Sequence, residues 1–235
     1  MVYNAKEMIK AQYHKFPTLT LFMAIFLVLV IISFIVVSKQ KSSPDLNQGY
    51  LIYKSLPTEI LKDGDIITRL GNRLWSDPIR NVSLTDQRFS HVGVIRIRDE
   101  QITVIHAEGT TQGEGVVKEE SIRDFLNEAR SIGIYRLSYC VGTELSDIAI
   151  EYIGIPFDWQ FDMDDDSKLY CTELIYVILQ RLKPDIRLDT IFFRRLDRYV
   201  IPLEAISNSE YFEEVYFYNM IAGEYQSVRR MVLMK

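Results

Sequence analysis

Alternation of apolar and polar residues is clearest between His91 and Ala107. In His91-Val92-Gly93-Val94-Ile95-Arg96-Ile97-Arg98 the odd positions read His, Gly, Ile, Ile, while Arg96 and Arg98 fall on the other face. Beyond the polar pair Asp99-Glu100, Ile102, Val104 and His106 continue in phase. Period-two alternation on both sides of a polar turn predicts a β-hairpin. With a two- or four-residue loop, His91 and His106 share one face with Ile95, Ile97, Ile102 and Val104, nearly opposite each other at the end away from the turn. A three-residue loop would send them to opposite faces. Cross-strand neighbours sit about 4.5–5.5 Å apart at Cβ, within reach of an imidazole–imidazole hydrogen bond.

The second strong pattern has helical spacing. Cys171, Leu174, Ile175, Ile178, Leu179 and Leu182 form one stripe of a helix that starts near Leu169 and is closed by Pro184. Around these two elements the reading is coarser. Asp63-Gly64 is a turn signal with a short strand, Asp65 to Arg69, after it. Gly71 to Phe89 reads as a loop, Val116-Val117 as a strand start, and Ser121-Ile122-Arg123-Asp124 as a capped helix start. Ile132 to Leu137 returns to strand character, and Thr143 caps a helix ended by Gly154 and Pro156. Phe157 to Asp166 is an aromatic and acidic loop. Asp185 to Lys235 reads as loop, a short element around Ile201-Pro202-Leu203, and a mixed tail with no role assigned.

One further pattern changes the picture. From Phe16 to Ser38 the chain carries no charge, a run longer than the roughly 20 residues that span a bilayer as a helix. A cleaved signal peptide is the rival, but its apolar region is normally about 7–15 residues and ends at a small-residue site. Here the run ends in Val36-Val37-Ser38-Lys39-Gln40-Lys41. The expected organisation is an N-terminal cytoplasmic segment (1–15), a transmembrane helix (16–38), a tether (39–50), a globular domain (51–206) and a C-terminal extension of it (207–235). Lys6, Lys10 and Lys15 before the span against Lys39 and Lys41 after it favour a cytoplasmic N-terminus and an extracytoplasmic domain. The bilayer is therefore an expected partner.

Composition then removes function classes. Of 235 residues, 48% are hydrophobic and 25% charged, which describes a folded chain, and the net charge of −5 leaves no basic footprint for nucleic acid. Two cysteines allow at most one bridge, Cys140 to Cys171, and no Cys/His cluster has zinc spacing. Neither a metal nor a cofactor is expected.

What remains is a thiol and two imidazoles. A helix N-terminus lowers a cysteine pKa through its unpaired N–H groups, and a nearby histidine makes a thiolate–imidazolium pair possible. The roles this suggests are Cys171 as nucleophile, His91 as base and then acid, and His106 as orienting partner, with backbone N–H groups around Cys171 serving the oxyanion. A structural reading stays open beside it, since unpaired cysteines on apolar stripes are commonly core residues. Glu173 reads as a solvated or locally paired carboxylate.

At Gly64-Asp65-Ile66-Ile67, Ser90-His91-Val92-Gly93-Val94-Ile95, Val104-Ile105-His106-Ala107 and Tyr170-Cys171-Thr172-Glu173-Leu174 the chain resembles a known family. It is similar to the permuted NlpC/P60 papain-like enzymes of the YiiX/YebB type, and distantly to lecithin:retinol acyltransferase-like proteins. The likeness covers roughly Leu56 to Ile206, and its order, with the His strand before the Cys helix, is its specific feature. It implies an α+β papain-like fold, with the Cys helix packed on an antiparallel sheet, and a Cys–His–polar triad carried to Cys171, His91 and His106. Many relatives have an acidic residue at the third position, and Tyr-Asp where this chain has Phe157-Asp158. The expected activity is a membrane-anchored cysteine hydrolase or acyltransferase, cleaving an amide or ester of a cell-wall peptide or lipid-like N-acyl compound. A non-catalytic binding module on the same fold is the alternative, and an envelope protein bridged through Cys140–Cys171 a third.

Overall fold

The computed structural model describes residues 46–138, 142–221 and 224–228. The hairpin forms as the alternation requires. Asp99 and Glu100 take φ of 48° and 65°, the pair of left-handed conformations that a two-residue hairpin turn needs to match the twist of its strands. Strand β2 (His91–Arg98) therefore pairs with the strand after the turn (β3, Gln101–Gly109) from Arg98↔Gln101 to Val94↔Ile105. The odd-sum register puts His91 and His106 on one face.

Strand β1 (Ile66–Gly71) lies on the other side of β2, and β4 (Gly115–Ser121) on the other side of β3. With β5 (Ala129–Leu137), β8 (Phe212–Ile221) and β9 (Glu224–Val228) they make a seven-stranded antiparallel sheet in the order β4-β3-β2-β1-β5-β8-β9. Strands β6 (Ile191–Phe193) and β7 (Arg198–Val200) form a separate small hairpin. The tail without an assigned role thus supplies two strands of the main sheet.

Helices cover both faces, and each face has its own core. Helix α1 (Leu46–Ser55) and the short α3 (Ile122–Leu126) pack Ile52, Phe125 and Leu126 on Ile67, Ile95, Val104, Ile132 and Ile134. Helix α1 begins inside the stretch read as tether. Ser121 caps α3 as the sequence suggests, its hydroxyl accepting the Asp124 N–H at 3.1 Å. On the opposite face lie α4 (Gly142–Ile150) and α5 (Cys171–Leu182), with Leu145, Leu174, Ile175, Ile178 and Leu179 against Val92, Val94, Ile105 and Ala107. Each such buried side chain contributes about 1.5–3 kcal/mol, so the stripe of α5 fixes where Cys171 sits. The helix stops at Lys183, which is extended (φ −148°, ψ 99°) as a residue before proline prefers. The remaining helices, α2 (Ser76–Arg80) and α6 (Glu204–Ser207), are single turns in the connections.

The architecture is α+β with an antiparallel sheet, as expected. The apolar run Phe16–Ser38 lies outside the described residues. Among the described residues no helix is long and apolar enough to cross a membrane.

Candidate active site

Cys171 is the first residue of α5, preceded by an extended Tyr170. Two hydrogen bonds anchor this turn. The Tyr170 hydroxyl accepts the Ile201 N–H at 3.0 Å, and the Thr172 hydroxyl donates to the Ile201 carbonyl at 2.7 Å. Glu173 reaches back to accept the Tyr170 N–H at 3.2 Å. The sulfur is a free thiol, 5% exposed. Backbone N–H groups of Thr172, Val92 and Cys171 itself point at it.

The Val92 contact explains how a cysteine on one face meets histidines on the other. The Ile95 N–H bonds to Asp65 on the β1 side, so by alternation the N–H of Val92 points toward β3. The β2–β3 ladder ends at Val94↔Ile105, and the freed Val92 N–H turns to the sulfur instead. The thiol therefore occupies the seam where the two strands part, at the peptide that follows His91.

His91 and His106 are joined directly, Nε2 of the first to Nδ1 of the second at 2.8 Å. Their pairing is diagonal, since β3–β2 register places Gly93 opposite His106. That glycine is required: a Cβ there would lie 2.5 Å from Val104 Cγ1, 2.9 Å from the Ile105 carbonyl and 3.0 Å from His106 Cβ. Phe125 of α3 floors the pair, stacking on His91 and meeting His106 edge-on. Beyond His106 the chain of contacts continues to Glu120, whose Oε1 is 3.0 Å from His106 Nε2, and Lys118 holds the other oxygen at 2.8 Å.

These partners assign the tautomers. The Glu120 carboxylate accepts, so His106 carries its proton on Nε2 and presents a bare Nδ1. His91 must then donate from Nε2, which leaves its Nδ1 lone pair as the free base. Burial and the Arg69 charge push both imidazoles below their ordinary pKa, His91 far below it. Glu120 counteracts this only at His106.

Arg69 pairs in register with His91 and stacks over Phe125 at 4.4 Å, bonding the Phe125 carbonyl and, at 2.7 Å, Glu108. Burial raises the Glu108 carboxyl, but His91, Arg69 and Lys118 outweigh it and hold the group well below the usual carboxylate range.

The sulfur differs from expectation. Burial pushes the Cys171 thiol up to about 11, against the pull of its three N–H donors and of Arg69. Among the described residues no hydrogen bond joins it to either imidazole. The resting site is a neutral thiol beside a neutral histidine, not a thiolate–imidazolium pair, because desolvation in the seam exceeds what the helix terminus contributes. Glu173, read as solvated or locally paired, is the latter, accepting the Tyr170 N–H. It is 3% exposed and pushed up to about 8 by burial, with Asp158, Asp166 and Asp162 adding to the rise.

The structure thus brings Cys171, His91 and His106 to one end of the sheet and adds Glu120, Glu108 and Arg69. A signal for Glu120 existed. Lys118 and Glu120 sit two apart on β4, in phase with His106↔Lys118, but the sequence pattern marks only Val116-Val117 as a strand start there.

Residues 60–199, more than half of the chain, match the model of the family described as permuted papain-like amidase enzymes, YaeF/YiiX, C92 family. The chain belongs to that family. Among solved structures it is similar to one titled metalloprotein yiiX from Escherichia coli O157:H7, with a TM-score of 0.55 and 17% identity over 66% of this chain and 96% of that one. At that identity the likeness concerns the fold. No curated protein matches.

His91, His106 and Glu108 bring one donor atom each within 4.8 Å of one another, and imidazole with carboxylate is a donor set that zinc accepts. The surroundings do not fit a cation. The facing histidine nitrogens are spent on each other. Both Glu108 oxygens are already taken, by Arg69 at 2.7 Å, Arg73 at 3.3 Å and Lys118 at 2.8 Å. A divalent ion here would face three fixed positive charges.

Proposed function

We propose that this family member is a membrane-anchored cysteine hydrolase that cleaves an amide or ester through an acyl-enzyme on Cys171. The observation that carries the reading is the thiol seated at the His91–Val92 peptide, beside the hydrogen-bonded chain His91–His106–Glu120. In the first step the sulfur attacks the substrate carbonyl carbon while its proton passes to His91 Nδ1. The C–S bond forms, and the carbonyl oxygen gains the negative charge. Backbone N–H groups of Cys171 and its neighbours are the donors available to that oxygen. His106 accepts from His91 and Glu120 bears on His106, so the imidazolium formed is stabilised from behind. As the tetrahedral intermediate collapses, His91 returns the proton to the leaving amine or alkoxide. Water, deprotonated by the same nitrogen, then attacks the acyl carbon, the C–S bond breaks, and His91 returns the proton to the departing sulfur as the acid is released. A cell-wall peptide or a lipid-like N-acyl compound suits this chemistry, and an acceptor other than water would make the same intermediate an acyltransferase. Phe16–Ser38 is the anchor in this reading, with the domain on the extracytoplasmic side.

The test is the acyl-enzyme itself. Incubating the full chain with an activated fatty-acyl or peptidyl ester and quenching in acid should leave an acyl mass on the Cys171 peptide, absent from Cys171→Ala and strongly reduced in His91→Ala. A fully active Cys171→Ala protein would end the proposal.

A second reading, a binding module that keeps the fold without turnover, is favoured by the unionised thiol and by Phe157 in place of a tyrosine. It expects ligand affinity unchanged in Cys171→Ser and no acyl adduct.

A further inference from the structure

The surface beside the histidine end of the sheet is apolar and aromatic. Leu74 is 86% exposed and Trp75 50%. Trp75 meets Trp159 edge-on at 6.5 Å, and Trp159 meets Phe157 at 5.0 Å. Trp159 lies over Gly109, where a Cβ would strike its ring at 2.4 Å. Gly109 directly follows Glu108, so this patch borders the candidate site. Exposed tryptophan beside an unprotected leucine suits the boundary of a bilayer, where an apolar ring body with a polar N–H is at home.

The path of the backbone says which partner meets the patch. Helix α1 enters the domain here: Gly49 is pressed so close to Asn127 that any Cβ would lie 2.3 Å from its carbonyl oxygen. The next residue, Glu128, accepts the Asn72 N–H at 3.0 Å and pairs its carboxylate with Arg73. Arg73 adjoins Leu74. The polypeptide therefore arrives at the same end that carries the patch. Residues 39–45 separate the uncharged stretch from α1, and seven residues reach at most about 25 Å. On the anchored-hydrolase reading, a tether of that length on that end leaves Leu74 and Trp75 within reach of the bilayer. Basic side chains border the loop: Arg73 itself, and Arg80 and Arg130, which both reach Asp77. Each is already paired with a carboxylate, so Leu74 and Trp75 carry the contact.

We propose that Leu74 and Trp75 seat in the interfacial layer of the bilayer spanned by Phe16–Ser38, so that the Cys171–His91 site opens onto that layer and takes acyl substrates presented by it. This rests on the anchored-hydrolase reading above.

The chain's two tryptophans are both in the patch, which makes it its own probe. The full chain carrying Trp159→Phe is reconstituted into phosphatidylcholine–phosphatidylglycerol vesicles with lipids brominated at shallow or deep acyl positions. Trp75 should emit blue-shifted and lose roughly half its intensity to shallow bromines, less to deep ones, as an interfacial ring does. Subtracting the signal of Trp75→Phe protein from wild type gives the same quantity without relying on the Trp159 variant. Red emission quenched by acrylamide and untouched by brominated lipid would overturn the proposal. So would emission shielded from acrylamide yet unaffected by brominated lipid, the signature of a second copy of the chain on the patch. Release of the protein by alkaline carbonate would instead sink the anchor reading. Leu74→Ser/Trp75→Ser protein should retain hydrolysis of a soluble short-chain ester but lose about tenfold on a vesicle-borne acyl substrate, since about 1.4 kcal/mol of interfacial binding is a factor of ten. Equal rates on both substrates count against docking, whereas absent turnover with normal quenching counts only against the hydrolase.

Discussion

Glu173→Gln should stabilise the protein in proportion to pH. The carboxyl is buried in the first turn of α5, and its folded pKa of about 8 stands against an ordinary value of 4.5. An unfolded chain gives up this proton near 4.5, while the folded chain keeps it until about 8. Between those values the unfolded state binds fewer protons, so stability falls as pH rises, and the loss is complete above about 8. At about 1.36 kcal/mol per pH unit the whole window is worth up to about 5 kcal/mol, of which local relaxation and water entry will return part. Glutamine keeps the acceptor that takes the Tyr170 N–H and cannot ionise. The difference in unfolding free energy between variant and wild type, followed in mild detergent by near-ultraviolet dichroism, should be small at pH 5. It should then grow by a few kcal/mol by pH 8.5. A difference that is flat with pH would mean Glu173 is ionised in the fold, and the account of its burial would be wrong.

Four further expectations concern the site. Alkylation of Cys171 should be slow through neutral pH and rise only as pH approaches about 11, with His91→Ala leaving that profile in place; a fast plateau near pH 7 would show an ion pair. Because His91 stays neutral far below its ordinary pKa, kcat/KM should hold level from pH 8 to below 6.5. Glu120→Gln should lower kcat on the order of 100-fold with folding intact, and an unchanged kcat would remove Glu120 from the relay. Gly93→Ala should cost about 1–3 kcal/mol through the clash with Val104 and Ile105. It should also cut activity more than a mere loss of stability explains, because the same Cβ presses on His106.

The hairpin was legible because its signals are local. Alternation fixed the faces, and Asp99-Glu100 supplied a turn of even length, which keeps His91 and His106 together. The stripe of α5 was legible for the same reason. What escaped depends on pairing between distant segments. Nothing within Phe212–Ile221 says that it will lie against β5, and Glu120 matters only because β4 pairs with β3 in one register. The position of the sulfur is subtler still. It follows from a ladder that ends at Val94, three residues short of His91, which leaves the Val92 N–H to turn outward. Charge states were the least legible, since the pull of a helix terminus on Cys171 could be read from the sequence but the depth of the seam could not.

That last difference bears on how such a site would work. A preformed ion pair stabilises the thiolate in the ground state, and that part of the stabilisation must be given up when the sulfur attacks. In the proposed reaction the charge would appear only as the C–S bond forms. The N–H groups of Cys171, Thr172 and Val92, now short of ionised partners, bear on it in a dry seam where each is worth more than in water. Arg69 is fixed by Phe125 and Glu108 before any substrate arrives, so its field does not have to reorganise. On this argument Arg69→Leu would affect kcat more than KM and would leave Glu108 buried beside two imidazoles without its closest counter-charge. The measurement that separates a catalytic field from a structural ion pair is the double variant Arg69→Leu/Glu108→Leu. If stability returns with both charges gone but kcat does not, the guanidinium acts on the reacting charge. If both return, Arg69 serves only to neutralise Glu108.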